Sequence, residues 1–198
     1  MNRMHKKILF IVTLTAMLFF TACATKIKPS TSMNPPPSKA FMNFTAFEMK
    51  PAVLAPAYAG NEANRKALAK IQENLSANMA PFLKSWNQAS TGKTVGRRTL
   101  IIEPVVTQIK FIGGAARFWA GPAAGSSAII MHAMIIEKET GKTIATPEFY
   151  IKSGAWSGGW TIGVTDNLML TRIAEKFKDY LVANYASAVG GTTDARQK

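Results

Sequence analysis

Residues 128–152 read AIIMHAMIIEKETGKTIATPEFYIK. The first arm, Ala128 to Ile136, is apolar on both faces, which suits a strand lying inside a sheet with both faces covered. Glu139 to Lys142 are turn formers, with Gly141 in the tight position, so the stretch is expected to double back as a hairpin. The returning arm alternates, setting Glu148, Tyr150 and Lys152 on one side and Phe149 and Ile151 on the other. A central antiparallel pair is therefore the expected nucleus of the fold.

Upstream, RTLIIEPVVTQIKFI (98–112) is β-rich, and Pro104 inside it points to an edge strand or a bulge. FTAFEMK (44–50) has the partial alternation of a further strand. Between them Leu68, Ile71, Leu75, Met79, Phe82 and Trp86 recur at three or four residues, one face of an amphipathic helix over 61–86. Pro81 should kink or break that helix near its end. Downstream, a last helix starts near Thr165, with Thr165 and Asp166 as cap and first-turn acid. Its buried stripe is Leu170, Ile173, Ala174, Phe177 and Leu181. The order β-α-β-β-β-α predicts an α/β two-layer sandwich, a mixed four-stranded sheet with two helices on one face. The first β-α-β step makes its two strands parallel.

The ends of the chain differ from this middle. MNRMHKK is a basic start, and ILFIVTLTAMLFF is a thirteen-residue apolar run, short for a membrane span but right for a signal segment. Phe20-Thr21-Ala22 then precede Cys23, the only cysteine among 198 residues. This resembles the lipobox of bacterial lipoproteins, with Phe20 in place of the usual leucine. The resemblance implies diacylglyceryl transfer to the Cys23 thiol, cleavage before it and acylation (palmitate or similar) of its new amino group. Ala24 after the cysteine implies sorting to the outer membrane. Ala22-Cys23-Ala24 also fits ordinary signal-peptide cleavage, which would release a soluble protein.

These readings divide the chain into a signal peptide (1–22), a Pro/Ser-rich tether (23–40), a globular α/β domain (41–185) and a disordered tail (186–198). One cysteine excludes a disulfide framework and any multi-cysteine metal site. The formal charge of +13 falls to +10 once Arg3, Lys6 and Lys7 are removed, because 21 basic then face 11 acidic residues. That balance favours anionic lipid or polymer surfaces; no nucleic-acid recognition motif is present.

Two GKT motifs invite a phosphate-loop reading and fail it. STGKT (90–94) has Asn87, and ETGKT (139–143) has Ile136, where the pattern needs its first glycine. His132 is the sole histidine outside the leader, placed in an apolar strand as a satisfied core residue. Neither a catalytic triad nor a metal set can be assembled, so the expectation is a non-enzymatic protein without a cofactor. Two Gly/Trp segments remain, one around Arg117, Phe118 and Trp119 and one around Trp156 and Trp160. They are read as loops feeding strands, or as a binding surface that inserts into a partner or membrane.

ARFWAGPAAGSSAIIMHAMIIEKETGKTIATPEFY, followed by GGWTIGVTDNLMLTRIAEKF, resembles an uncharacterised family of proteobacterial lipoproteins, domain of unknown function 4410. The likeness is clearest over 96–185 and brings no catalytic residues with it. Two functions are expected from this: a lipid-anchored binding or assembly domain for an envelope protein, or a subunit of an oligomeric envelope or secretion pore.

Overall fold

A computed structural model describes residues 27–89, 96–112, 125–153 and 164–194. Its main sheet contains β2 (Ala46–Met49), β3 (Val53–Leu54), β4 (Thr99–Lys110), β5 (Ala128–Glu137), β6 (Lys142–Ala145) and β7 (Glu148–Lys152). These six strands occupy four positions. β2 and β3 follow one another in parallel along β4, while β6 and β7 follow one another antiparallel along β5. β4 and β5 are antiparallel neighbours at the centre. The 128–152 hairpin thus forms as expected, turning through Gly141, whose φ of 67° suits glycine.

β4 is internal, which corrects the edge-strand reading of Pro104. On one side Lys50 and Ala55 donate their N–H groups to Ile102 and Val106, so the missing N–H of Pro104 falls opposite the break between β2 and β3. On the other side Pro104 faces Ala133, whose own N–H donates away, to Pro147. No ladder bond is lost at that position. A register shift follows between Val106 and Gln108.

Two helices, α1 (Glu62–Ala89) and α2 (Val164–Ala186), cover one face. In α1, Ile71, Leu75, Met79 and Trp86 of the expected stripe are buried, while Leu68 and Phe82 are partly so. Pro81 does not end the helix, which runs on to Ala89. An interior proline costs about 3 kcal/mol. The final turns are held by aromatic burial: Trp86 stacks on Tyr185 at 4.6 Å and lies 5.2 Å from Phe47. All five residues expected for α2 are buried, and Phe177 meets Phe149 edge-on at 5.5 Å.

The stretch taken for a solvated tether and the tail taken for disorder both correct the reading over their described parts. Residues 27–40 run as a strap along the β6–β7 edge, and Gly191–Thr192 (β8) pair antiparallel with Met33–Asn34 (β1). Ser38 N–H donates to Ile144 O, Tyr150 N–H to Thr193 O, and Thr193 N–H to Ser32 O. Tail and strap thereby cap the unpaired backbone of an edge strand that would otherwise invite foreign pairing.

Candidate functional site

The strap is fastened at Glu148, a buried carboxylate at the start of β7. Ser30 donates its backbone N–H to Oε1 at 2.8 Å and its hydroxyl to Oε2 at 2.9 Å. His132 Nε2 lies 3.4 Å from the same Oε2. Asn34, also buried, mimics a strand partner: its amide nitrogen donates to Glu148 O and its amide oxygen accepts from Glu148 N–H, both at 2.8 Å. A buried carboxylate is costly unless its lone pairs are satisfied, so Glu148 and the strap depend on each other.

Ser30, His132 and Glu148 include the residue types of a hydrolytic triad, but the wiring is different. A nucleophilic serine must give its proton to the imidazole, whereas Ser30 and His132 both address the carboxylate. The cluster is a clamp. His132 is not in the core as expected; it stands half-exposed on the face away from the helices, opposite Val105 and Glu148.

Beyond the clamp, the strap folds onto that outer face. Ile27 packs with Ala128, Ile130 and Tyr150 in a small second core, and the Tyr150 hydroxyl donates to Ile27 O at 3.3 Å. Burial, with Asp194 nearby, raises the Tyr150 pKa above its ordinary value, which keeps the phenol a donor. Adjacent, Ser127 is fully buried and ties two chain segments together. Its hydroxyl accepts from Ile112 N–H at 3.0 Å, and its carbonyl accepts from Ser153 N–H at 2.9 Å and Ser153 Oγ at 3.3 Å. Ile112 and Ser153 are the last described residues before the two Gly/Trp segments, so both leave the sheet from one bonded junction.

Cys23, Arg117, Phe118, Trp119, Trp156 and Trp160, together with the STGKT motif, lie outside the described residues. Among the described residues no group of three His, Cys, Asp or Glu could hold a metal ion, and no helix is long and apolar enough to cross a membrane. The sequence reading missed the clamp and Ile27. Ile27 did leave a signal: a large apolar residue between Lys26 and Lys28 in an otherwise polar, proline-rich stretch.

No protein-family model and no curated protein matches the chain. Among solved structures, a PelC dodecamer of a point variant from Paraburkholderia phytofirmans aligns at 15% identity and TM-score 0.38, covering 74% of this chain and 93% of that one. A second PelC dodecamer from the same organism aligns at 12% and 0.36, covering 74% and 94%. A candidate lipoprotein from Caulobacter crescentus CB15 aligns at 10% and 0.33, covering 72% and 92%. Likenesses this weak say nothing of what this chain does.

Proposed function

We propose that this chain is a lipid-anchored envelope protein, held through Cys23 on the periplasmic face of the outer membrane, whose α/β domain binds or assembles with an envelope protein and catalyses no reaction. The observation that carries this is the lone cysteine directly after Phe20-Thr21-Ala22 and a thirteen-residue apolar run. Anchoring follows from chemistry: each buried methylene contributes about 0.8 kcal/mol, so several acyl chains attach a protein in effect permanently. The clamp supports a non-enzymatic role, since its one hydroxyl and one imidazole both serve a structural carboxylate. The resemblance of 96–185 to the uncharacterised lipoprotein family belongs to this proposal.

Mass spectrometry of the mature N-terminus tests it. The expected species begins at acylated Cys23, and Cys23→Ser moves the protein to the soluble fraction or leaves it unprocessed. A free terminus at Thr25 would replace this account with ordinary secretion.

A second reading, a subunit of an oligomeric pore, is favoured by one observation. Val53 and Met134 stand 50% and 43% exposed on the sheet face away from the helices, a surface a second copy would cover. Rings or large oligomers of the delipidated protein in a size measurement would select it.

A further inference from the structure

Beyond the clamp, the sheet face away from the helices is open. Cross-strand register sets Val53 beside Val105, Met134 beside Glu103 and Ile136 beside Ile101, all on that face. Val53 and Met134 are exposed, and Ile101, Val105 and Ile136 are partly so. Glu103 therefore stands in the middle of five apolar neighbours. Among the described residues it forms no salt bridge, while the other acids of this face are answered, Glu48 by Lys50 and Lys138 and Glu148 by Ser30. Lys50, whose N–H bonds the neighbouring Ile102, directs its ammonium to Glu48. Two further cations at the turn end lie outside these rows: Arg97 precedes β4, and Lys142 pairs with Glu137.

The edges of the sheet offer a partner less. Asn34 and the strap cap one of them. On the other, Asn87 accepts from Phe47 N–H at 2.8 Å and donates to Phe47 O at 3.1 Å, and Gln72 Oε1 accepts from Ala52 N–H at 2.7 Å. Pro51, between them, has no N–H to give. Caps of this kind oppose strand addition, so a partner reaches the sheet through its open face. That face is narrow. Val105 to Ile101 spans about 13 Å and β3 to β5 about 10 Å, whereas a standard interface takes about 800 Å² from each partner. A helix about 10 Å across, laid down for two or three turns, matches those dimensions. A second copy has no such helix free. Its α1 and α2 bury their apolar stripes against its own sheet, and the exposed large apolar residues on them are Leu168 and Val182, about 21 Å apart along α2.

We infer that this face docks one amphipathic helix of an envelope protein, a helix whose apolar stripe is interrupted at its centre by a single Lys or Arg that pairs with Glu103. The inference rests on the binding role proposed above and deepens it by giving the partner's chemistry. The helix's apolar side chains cover Val53, Ile101, Val105, Met134 and Ile136, and its cation meets the one carboxylate of the face that lacks a partner. A charge in the middle of a dry patch fixes register, because a shifted helix leaves Glu103 covered and unpaired. The same cost excludes a wholly apolar helix.

The test uses the full mature chain and an alanine-based helical peptide with leucines at i, i+3 and i+7 and arginine at i+4, all on one helix face. Binding is followed by the methyl signals of Val53 and Met134. The peptide should shift both, and a scrambled peptide of the same composition should shift neither. Exchanging the peptide's arginine for glutamate should weaken binding at least about fivefold. Glu103→Arg should reverse that preference, so that the glutamate peptide binds the more tightly. Glu103→Gln, a milder change in case the arginine disturbs folding, should erase the difference between the two peptides. No methyl shift, or binding indifferent to the peptide's charge, overturns the inference. So does self-association through this face, seen as an oligomer that Met134→Asp returns to a monomer. An acylated chain that binds no peptide removes the docking face and keeps the anchor. An unacylated chain whose preference reverses with Glu103→Arg removes the anchor and keeps the face.

Discussion

The helix-covered face of the sheet and its strap-covered side are held by different physics. Under the helices, Phe149, Phe177, Ile71, Leu75 and Met79 are fully buried, and stability there is a matter of apolar area and packing. On the strap side the fastening is polar and local: Ser30 and Asn34 on Glu148, Tyr150 on Ile27 O, and the tail ladder on the strap. Apolar packing of this kind is distributed and cooperative, so it opens with the whole domain. A few hydrogen bonds worth about 1 kcal/mol each can open alone. The first region defines the domain, and the second decides how its N-terminus is presented.

Phe177→Ala should produce the largest effect, a loss of roughly 3–5 kcal/mol, because it leaves a cavity against Phe149 and the sheet. Thermal melts check it, and an unchanged melting temperature would show that the helix face is not the cooperative core. Gly190→Ala comes next. Gly190 has φ of 74°, and an added Cβ would run into Asn34 O and approach the Pro35 carbonyl carbon at 3.0 Å. Strain in that conformation costs roughly 1–2 kcal/mol before any clash. The loss should appear as faster hydrogen exchange in β1 and β8, with the helix amides nearly unchanged. Asn184 holds this turn by accepting from Val189 N–H and Gly190 N–H, so Asn184→Ala should reproduce the pattern. Ser30→Ala is smaller, about 1 kcal/mol, and confined to the strap.

A pH series sharpens the contrast at the turn end. The Arg98 guanidinium, hydrogen-bonded to Glu137 at 2.7 Å, holds that carboxyl below its ordinary range despite burial. Since the folded value lies below the unfolded one, the pair stabilises above the ordinary glutamate pKa of about 4.3. That contribution disappears as pH falls through the lowered value. Arg98→Gln should reduce stability at neutral pH and flatten its decline between about pH 5 and pH 3, read by denaturant melts. An unchanged decline would mean that other carboxylates carry the acid sensitivity.

Local periodicity made the helix face legible in advance. The stripes of α1 and α2 and the two apolar faces of β5 recur at 3.6 or 2 residues, and each lies within one continuous segment. The strap carries no such record. Its pairings join Ser30 to Glu148 across 118 positions, and β1 and β8 are two residues each, too short to repeat anything. Proline and serine composition pointed to a solvated spacer, whereas this backbone bonds to the tail and to the sheet edge. Pro81 misled for a related reason: propensity is local, whereas the burial of Trp86 against Tyr185 and Phe47 comes from elsewhere in the chain. Of the candidate site, the sequence located the Gly/Trp segments but not Ser127, the buried residue that joins their roots.

The central claim is that residues 27–34 belong to the folded domain and are not a spacer beneath it. Amide hydrogen exchange on the membrane-attached chain tests this most directly. The N–H of Ser30, held by Glu148, and the N–H of Thr193, held by Ser32, should exchange far more slowly than an open chain, and Glu148→Gln should accelerate Ser30 first. Open-chain exchange at both amides, with the α1 and α2 amides still protected, would contradict it.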